Sequence, residues 1–258
     1  MIRAVVVVIA FLLASAGAQQ QVATIGPAAQ VHPVPENYRF PDGETLHYSA
    51  EWRIWQAGVA TLSLDQAGSE QRITAVGSST GFVALLFRAS DTFVSRFNPH
   101  TFCSAVFTKH TEEGLHKRET TIRFDEVRRR AVLDERNLRD NGVKHIENEI
   151  PSCATDVLNG IYYLRTLPLQ VGATYLFPLN NGGPTVDVKS SVEGNEDIKT
   201  DAGTFHTVRV SINSDADKLK GRGKVWIWYT DDASHVPVQM RSQLFWGTLT
   251  LRLVRVGR

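Results

Sequence analysis

Past residue 14, this 258-residue chain has no apolar run long enough to span a membrane, little net charge and only two cysteines. Each shortage excludes something. Without a run of about 20 apolar residues, no transmembrane segment is expected in the mature chain. The formal charge of +1 gives no long-range field toward polyanions, so nucleic acid is not an expected partner. Neither cysteine belongs to a C-x-x-C pair, which argues against a redox motif or a reactive thiol. No G-x-S-x-G elbow positions a nucleophilic serine, and His100, His110 and His116 lack zinc spacing. No metal and no cofactor are expected.

What is present begins with an address. Arg3 precedes an unbroken apolar run from Ala4 to Ala14, followed by Ala16-Gly17-Ala18. A basic residue, a short apolar stretch and a small-residue triplet make up a cleavable export signal, here residues 1–18. Gln19, Gln20 and Gln21 follow, with no cysteine for a lipid anchor. Loss of Arg3 with the signal would take the 28 basic residues to 27, matching the 27 acidic ones. The expected location is periplasmic or secreted. In an exported chain, two cysteines allow one intramolecular pairing, Cys103 with Cys153, and a disulfide is expected.

Residues 19–39 are rich in Gln, Ala and Pro and read as a disordered or extended leader. From Phe40 the pattern changes to period two, and residues 40–258 read as a single β-rich domain. Leu46, Tyr48, Ala50, Trp52 and Ile54 alternate with polar residues, as in a half-buried strand. Ala57-Gly58 reads as the next turn, with Ala60, Leu62 and Leu64 on the following strand's inner face. The same alternation recurs at Ile122 and Phe124, at Val208, Val210 and Ile212, and at Leu249, Leu251 and Leu253.

Hairpin residues punctuate these runs: Ala67-Gly68-Ser69, Glu113-Gly114, Asn141-Gly142, Asn181-Gly182-Gly183, Glu193-Gly194-Asn195 and Asp231-Asp232. Short strands in close succession predict a mainly β fold: an antiparallel, meandering sheet curled into a sandwich or a partly open barrel. One packed helix is expected from Thr155 to Leu167, where Val157, Leu158, Ile161, Leu164 and Arg165 fall at helical spacing. Thr155 can cap it, Asp156 suits its positive end and Pro168 stops it.

Phe40-Pro41-Asp42-Gly43-Glu44-Thr45-Leu46-His47-Tyr48 with Trp52 and Ala57-Gly58, the block Asp156-Val157-Leu158 with Tyr162-Tyr163-Leu164-Arg165, and Pro237-Val238 with Gly247-Thr248-Leu249 carry a resemblance. From about Phe40 to Val256 the chain resembles the bacterial domain-of-unknown-function family 3108. That resemblance implies an exported β-rich envelope protein and supplies no catalytic residues. At fold level it is similar to the curled half-barrels of outer-membrane lipoprotein carriers, which implies a concave face able to hold an acyl chain.

Two apolar segments are candidate ligand-binding elements. In Val225-Trp226-Ile227-Trp228-Tyr229, Trp226 and Trp228 face one side and Val225, Ile227 and Tyr229 the other. A central strand covered on both sides explains this pattern, and so does a curved sheet whose aromatic lining holds an apolar ligand. The run Phe82, Val83, Ala84, Leu85, Leu86, Phe87 is too short for its period to assign. A buried strand, a helical turn and a flap over the ligand all fit it. Asp231, Asp232 and His235 read as a turn before a metal site. Glu147 and Glu149 fall on a charged, solvated stretch, and Lys218, Lys220, Arg222 and Lys224 around Gly221 and Gly223 form a hairpin tip with no helix behind it. The sequence favours a non-catalytic envelope protein over an enzyme. Its partner is a lipid or other apolar ligand, or, alternatively, an envelope protein or glycan docked by a structural module.

Overall fold

Alternating strands bounded by glycine turns build nearly all of the computed structural model, which describes residues 29–36, 38–86, 88–214, 224–244 and 247–257. The first run comprises β1 (Glu44–Trp52), β2 (Trp55–Ala67), β3 (Glu70–Ser79), the short helix α1 (Gly81–Leu86), β4 (Ala89–Phe97), β5 (Ser104–Glu113), β6 (His116–Asp125), β7 (Arg130–Asn137) and β8 (Val143–Glu149). The helix α2 (Val157–Leu164) then leads to β9 (Thr174–Leu179), β10 (Val186–Thr200), β11 (Gly203–Ser214), β12 (Lys224–Thr230), β13 (Pro237–Leu244) and β14 (Gly247–Gly257).

All these strands join one antiparallel sheet in the order β8-β7-β6-β5-β4-β3-β2-β1-β14-β13-β12-β11-β10-β9. Each hairpin pairs with its neighbour, and the pairing of β1 with β14 joins the two halves, with Leu46 opposite Val256 and Ala50 opposite Leu251. The sheet curls but does not close, because β8 and β9 are both edges. The segment from Asn180 to Thr185 covers part of that seam: Thr185 Oγ1 donates to Glu149 O at 3.0 Å and Lys109 Nζ to Asn181 O at 3.0 Å. Gly182 has φ of 95° and lies where a Cβ would run into Leu133 Cδ1 and Ile122 Cδ1.

The sheet curls around α2. Leu158, Tyr162, Tyr163 and Leu164 are buried in one core with Phe93, Phe97 and Phe107 from one half of the sheet and Phe177, Val210 and Tyr229 from the other. Tyr163 meets Phe102 and Phe177 at ring separations of 5.6 and 5.2 Å, and Tyr229 Oη donates to Ile161 O at 2.9 Å. Each large apolar side chain buried there contributes roughly 1.5–3 kcal/mol.

The helix starts one residue later than Thr155 could cap it. Asp156 is the N-cap, accepting from Leu158 N at 2.9 Å and Asn159 N at 3.0 Å, while Thr155 Oγ1 donates to Pro178 O. The Cys103–Cys153 disulfide, with Cα atoms 5.0 Å apart, ties the β4–β5 connection to the segment entering α2.

Four details differ from the sequence reading. The first turn is Arg53-Ile54, with Arg53 at φ 57°, and Ala57-Gly58 lies inside β2; a Cβ at Gly58 would collide with Ser78 O, so this glycine permits a close strand approach. Glu193-Gly194-Asn195 is a bulge within β10, the chain turning instead before Gly203. Of the forms open to the apolar run after Thr80, the chain takes the helical one, so α1 stands beside the one packed helix expected. The chain also enters the core before Phe40: Val31 is buried, Gln30 N donates to Leu176 O at 3.0 Å and His32 N to Tyr163 Oη at 3.0 Å.

Candidate functional site

On β12, Ile227 and Tyr229 belong to the inner core, so Trp226 and Trp228 point to the outer wall. Trp228 is nonetheless only 3% exposed. Its Nε1 donates to Glu196 Oε1 at 2.8 Å, and the Arg241 guanidinium lies 5.2 Å above its ring. Arg209 binds Glu193 and Glu196 beside it, while Arg252 donates to Gln239 Oε1 at 2.8 Å and to Glu51 Oε2 at 3.1 Å. Glu196 and Arg241 thus shield the ring, within a network of charged and polar side chains on this wall, which accounts for an apolar strand with two buried faces. A ligand held by Trp226 and Trp228 would therefore sit on the outer wall, away from the concave side.

The second nominated segment sits on one rim of the curled sheet. Val83 of α1 packs on Ala57 and Trp52, and Thr80 N donates to Ala57 O at 3.0 Å. Leu85 is 83% exposed. The side chains of Phe82 and Leu86, and all of Phe87, lie outside the described residues. The same rim carries the β1–β2 tip, where Ile54 is 85% and Trp55 65% exposed, and the β5–β6 tip with Leu115 at 70%. Gly114 N donates to Arg88 O at 2.8 Å, which brings the last tip beside the end of α1. Sequence reasoning missed Ile54 and Trp55 as rim residues because the period-two pattern of β1 runs on into its turn.

The interior has its own polar groups. Beside α2, Asp156 Oδ2 accepts from Ser95 Oγ at 2.5 Å and Ser104 Oγ at 2.7 Å, so both hydroxyls are engaged. Burial pushes the Asp156 carboxyl up, opposed by these bonds and by the helix N–H groups. Lys109 is pushed down to about 8 by burial, against the pull of Asp156 and Glu135. Nearer the rim, Asp91 is pushed up to about 7 by burial, with the Glu112 N–H opposing the shift and Glu113 adding to it. Asp91 Oδ1 accepts that N–H at 2.9 Å, while Oδ2 meets no protein donor.

At the other end of α2, Arg165 and Glu44 form a buried two-pronged pair at 2.6 and 3.0 Å, and Arg165 also donates to Ser234 O. His235 Nδ1 lies 2.8 Å from Arg165 O; a carbonyl only accepts, so this nitrogen carries the proton. Each of these groups is engaged in holding structure among the described residues.

The remaining sequence candidates are dispersed. Asp232 Oδ1 accepts from Ser234 N and Thr230 Oγ1 in a turn. His110 approaches Glu112 and Glu119 on the outer wall, and Glu147 and Glu149 flank Arg130. Among the described residues, no three His, Cys, Asp or Glu side chains converge as metal ligands. No described helix is long and apolar enough to cross a membrane. Lys218, Lys220, Gly221, Arg222 and Gly223 lie outside the described residues.

A barrel-like antiparallel meander wrapped around one helix is thus the class of the fold. Residues 47–254 match the family DUF3108, proteins of unknown function, and the chain belongs to that family. Its fold is similar to a β-barrel-like protein of domain-of-unknown-function family DUF1849 from Brucella abortus, at TM-score 0.57 and 9% identity, covering 89% of this chain and 98% of that one. A protein from Bacteroides fragilis described as exported, with a YmcC-like fold, lies further off at TM-score 0.36, 11% identity and coverage of 90% and 100%. So does a protein from Parabacteroides distasonis described as a lipoprotein, at 0.31, 12%, 90% and 100%. No curated protein matches the sequence.

Proposed function

We propose that this protein is an exported, non-catalytic module of the bacterial envelope that acts by docking. One observation carries the reading: α2 occupies the concave side of the sheet, where a carrier would hold its ligand, and its side chains merge with those of both halves in a single core. An acyl chain could enter only by displacing Leu158, Tyr162 and Tyr163, each of which is 1% exposed or less. Export is supported by the leader pattern of residues 1–18 and by the Cys103–Cys153 bridge, since such bonds persist in oxidising compartments.

The carrier reading drawn from the tryptophans and the apolar run has less support, because Trp226 and Trp228 face the outer wall. Native mass spectrometry of the protein purified from its host separates the two. A docking module gives the mass of the bare oxidised chain. One lipid retained per chain, lost on delipidation and regained on adding the same lipid, would overturn the proposal.

A further inference from the structure

We infer that the rim built from the β1–β2 tip, α1 and the β5–β6 tip seats the protein on an anionic phospholipid bilayer. This rests on the docking function proposed above and adds what is docked. Ile54, Trp55, Leu85 and Leu115 are among the most exposed large apolar side chains described, and all four fall on this rim. Strand direction puts them there: β1, β3 and β5 end, and β2, β4 and β6 begin, at the same edge of the sheet.

The four side chains are spread over three projecting elements: Ile54 and Trp55 on the β1–β2 tip, Leu85 on α1 and Leu115 on the β5–β6 tip. A rigid protein partner is matched instead by a continuous, closely packed face. Isolated apolar side chains, one of them an indole, suit a fluid interface into which each can insert independently.

The charges beside them complement anionic headgroups. Arg53 and Arg88 are exposed next to the apolar tips. Arg53 is stacked 5.4 Å from the Trp52 ring, and its backbone N–H donates to Thr248 O at 2.8 Å. Lys117 follows Leu115 and faces Glu112 at 3.0 Å. That carboxylate also meets His110, and at the neighbouring Glu113 burial raises the carboxyl above its ordinary value, opposed by His116 and Arg118. Positive charge near the surface of an anionic leaflet adds to apolar insertion, and it does so over short distances only. A formally neutral chain can therefore dock through one rim without a long-range field.

The test uses the full mature chain with sedimented vesicles, either pure phosphatidylcholine or an even mixture with phosphatidylglycerol. Binding to the anionic vesicles is expected, weakening as salt is raised. The double variant Trp55→Ser/Leu85→Ser should bind about tenfold more weakly or worse, and Arg88→Glu should lose most of the preference for phosphatidylglycerol. All three side chains are exposed, so the urea midpoint should not move. In the parent, brominated lipid should quench a component of tryptophan emission that Trp55→Phe removes.

Equal binding by parent and double variant, or no binding by the parent, would overturn the inference. So would a dimer of the parent that the double variant abolishes, since the rim would then be an interface between copies. Failure here leaves the docking function standing. A retained stoichiometric lipid in the mass measurement refutes that function whatever the rim does.

Discussion

Replacing Glu44 by Gln tests how the sheet is fastened to α2. Glu44 opens β1, and Arg165 caps the C-terminal end of α2; their side chains are 8% and 1% exposed. The guanidinium donates to both carboxylate oxygens and to Ser234 O, and it lies 5.0 Å from the Tyr162 ring. An amide of nearly the same shape keeps the packing but cancels the countercharge. The guanidinium would then be buried without its anion, which costs about 3–5 kcal/mol. For a domain whose whole stability is about 5–15 kcal/mol, that is a large fraction. Urea unfolding followed by tryptophan emission should show the midpoint fall with no change in slope. Arg165→Met alone should also be costly, but the double variant Glu44→Gln/Arg165→Met should be less destabilised than the two single losses added together. A Glu44→Gln cost below about 1 kcal/mol, or strictly additive losses, would refute the argument.

Asp91 should make stability fall with rising pH. Its folded pKa of about 7 lies above the ordinary carboxylate range, so the folded state holds the proton more tightly. The contribution is fully present below about pH 4 and is lost as pH rises through 7, an effect of up to about 4 kcal/mol. Asp91→Asn should flatten the stability profile between those limits, and an unchanged profile would contradict the burial argument. Gly182→Ala should cost roughly 2–4 kcal/mol in thermal or urea unfolding, because it combines a left-handed backbone with overlap on Leu133 and Ile122. A neutral result would mean that the seam segment yields freely. Intact-mass analysis of the exported protein should find Cys103 and Cys153 two hydrogens lighter than the reduced form. Opening the bridge, which spans 50 residues, should lower stability by up to ~4 kcal/mol in the chain-entropy account.

How far the sequence could be read depended on whether a signal was local. Leu46, Tyr48 and Ala50 alternate because one side of β1 meets the core, and that is a property of neighbouring residues. The helix could be read for the same reason, from its spacing and Pro168. Gly58 and Gly194 misled because a glycine allows a turn, a bulge and a close strand approach alike, and only the facing strand distinguishes them. Barrel against sandwich was beyond reach, since the curl depends on distant strands meeting: β1 pairs with β14, as Trp52 with Leu249, and Tyr48 Oη of β1 donates to Pro237 O of β13 at 2.7 Å across 189 residues. The site was hardest for a physical reason: Val225 to Tyr229 is apolar at every position, so period two divides the strand into faces without saying which is inner. That choice is made by Tyr229, whose hydroxyl reaches Ile161 of α2, and by Glu196 and Arg241, which come from other strands to cover Trp228 on the opposite side. Ile54 and Trp55 pose the reverse case. Ile54 continues the rhythm of β1, yet Arg53 turns the chain before it, and Trp55, out of that rhythm, opens β2; both side chains are left at the rim. The fold itself leaves apolar residues exposed at such a tip, which is why the inferred docking surface rests on the rim and not on the all-apolar strand β12.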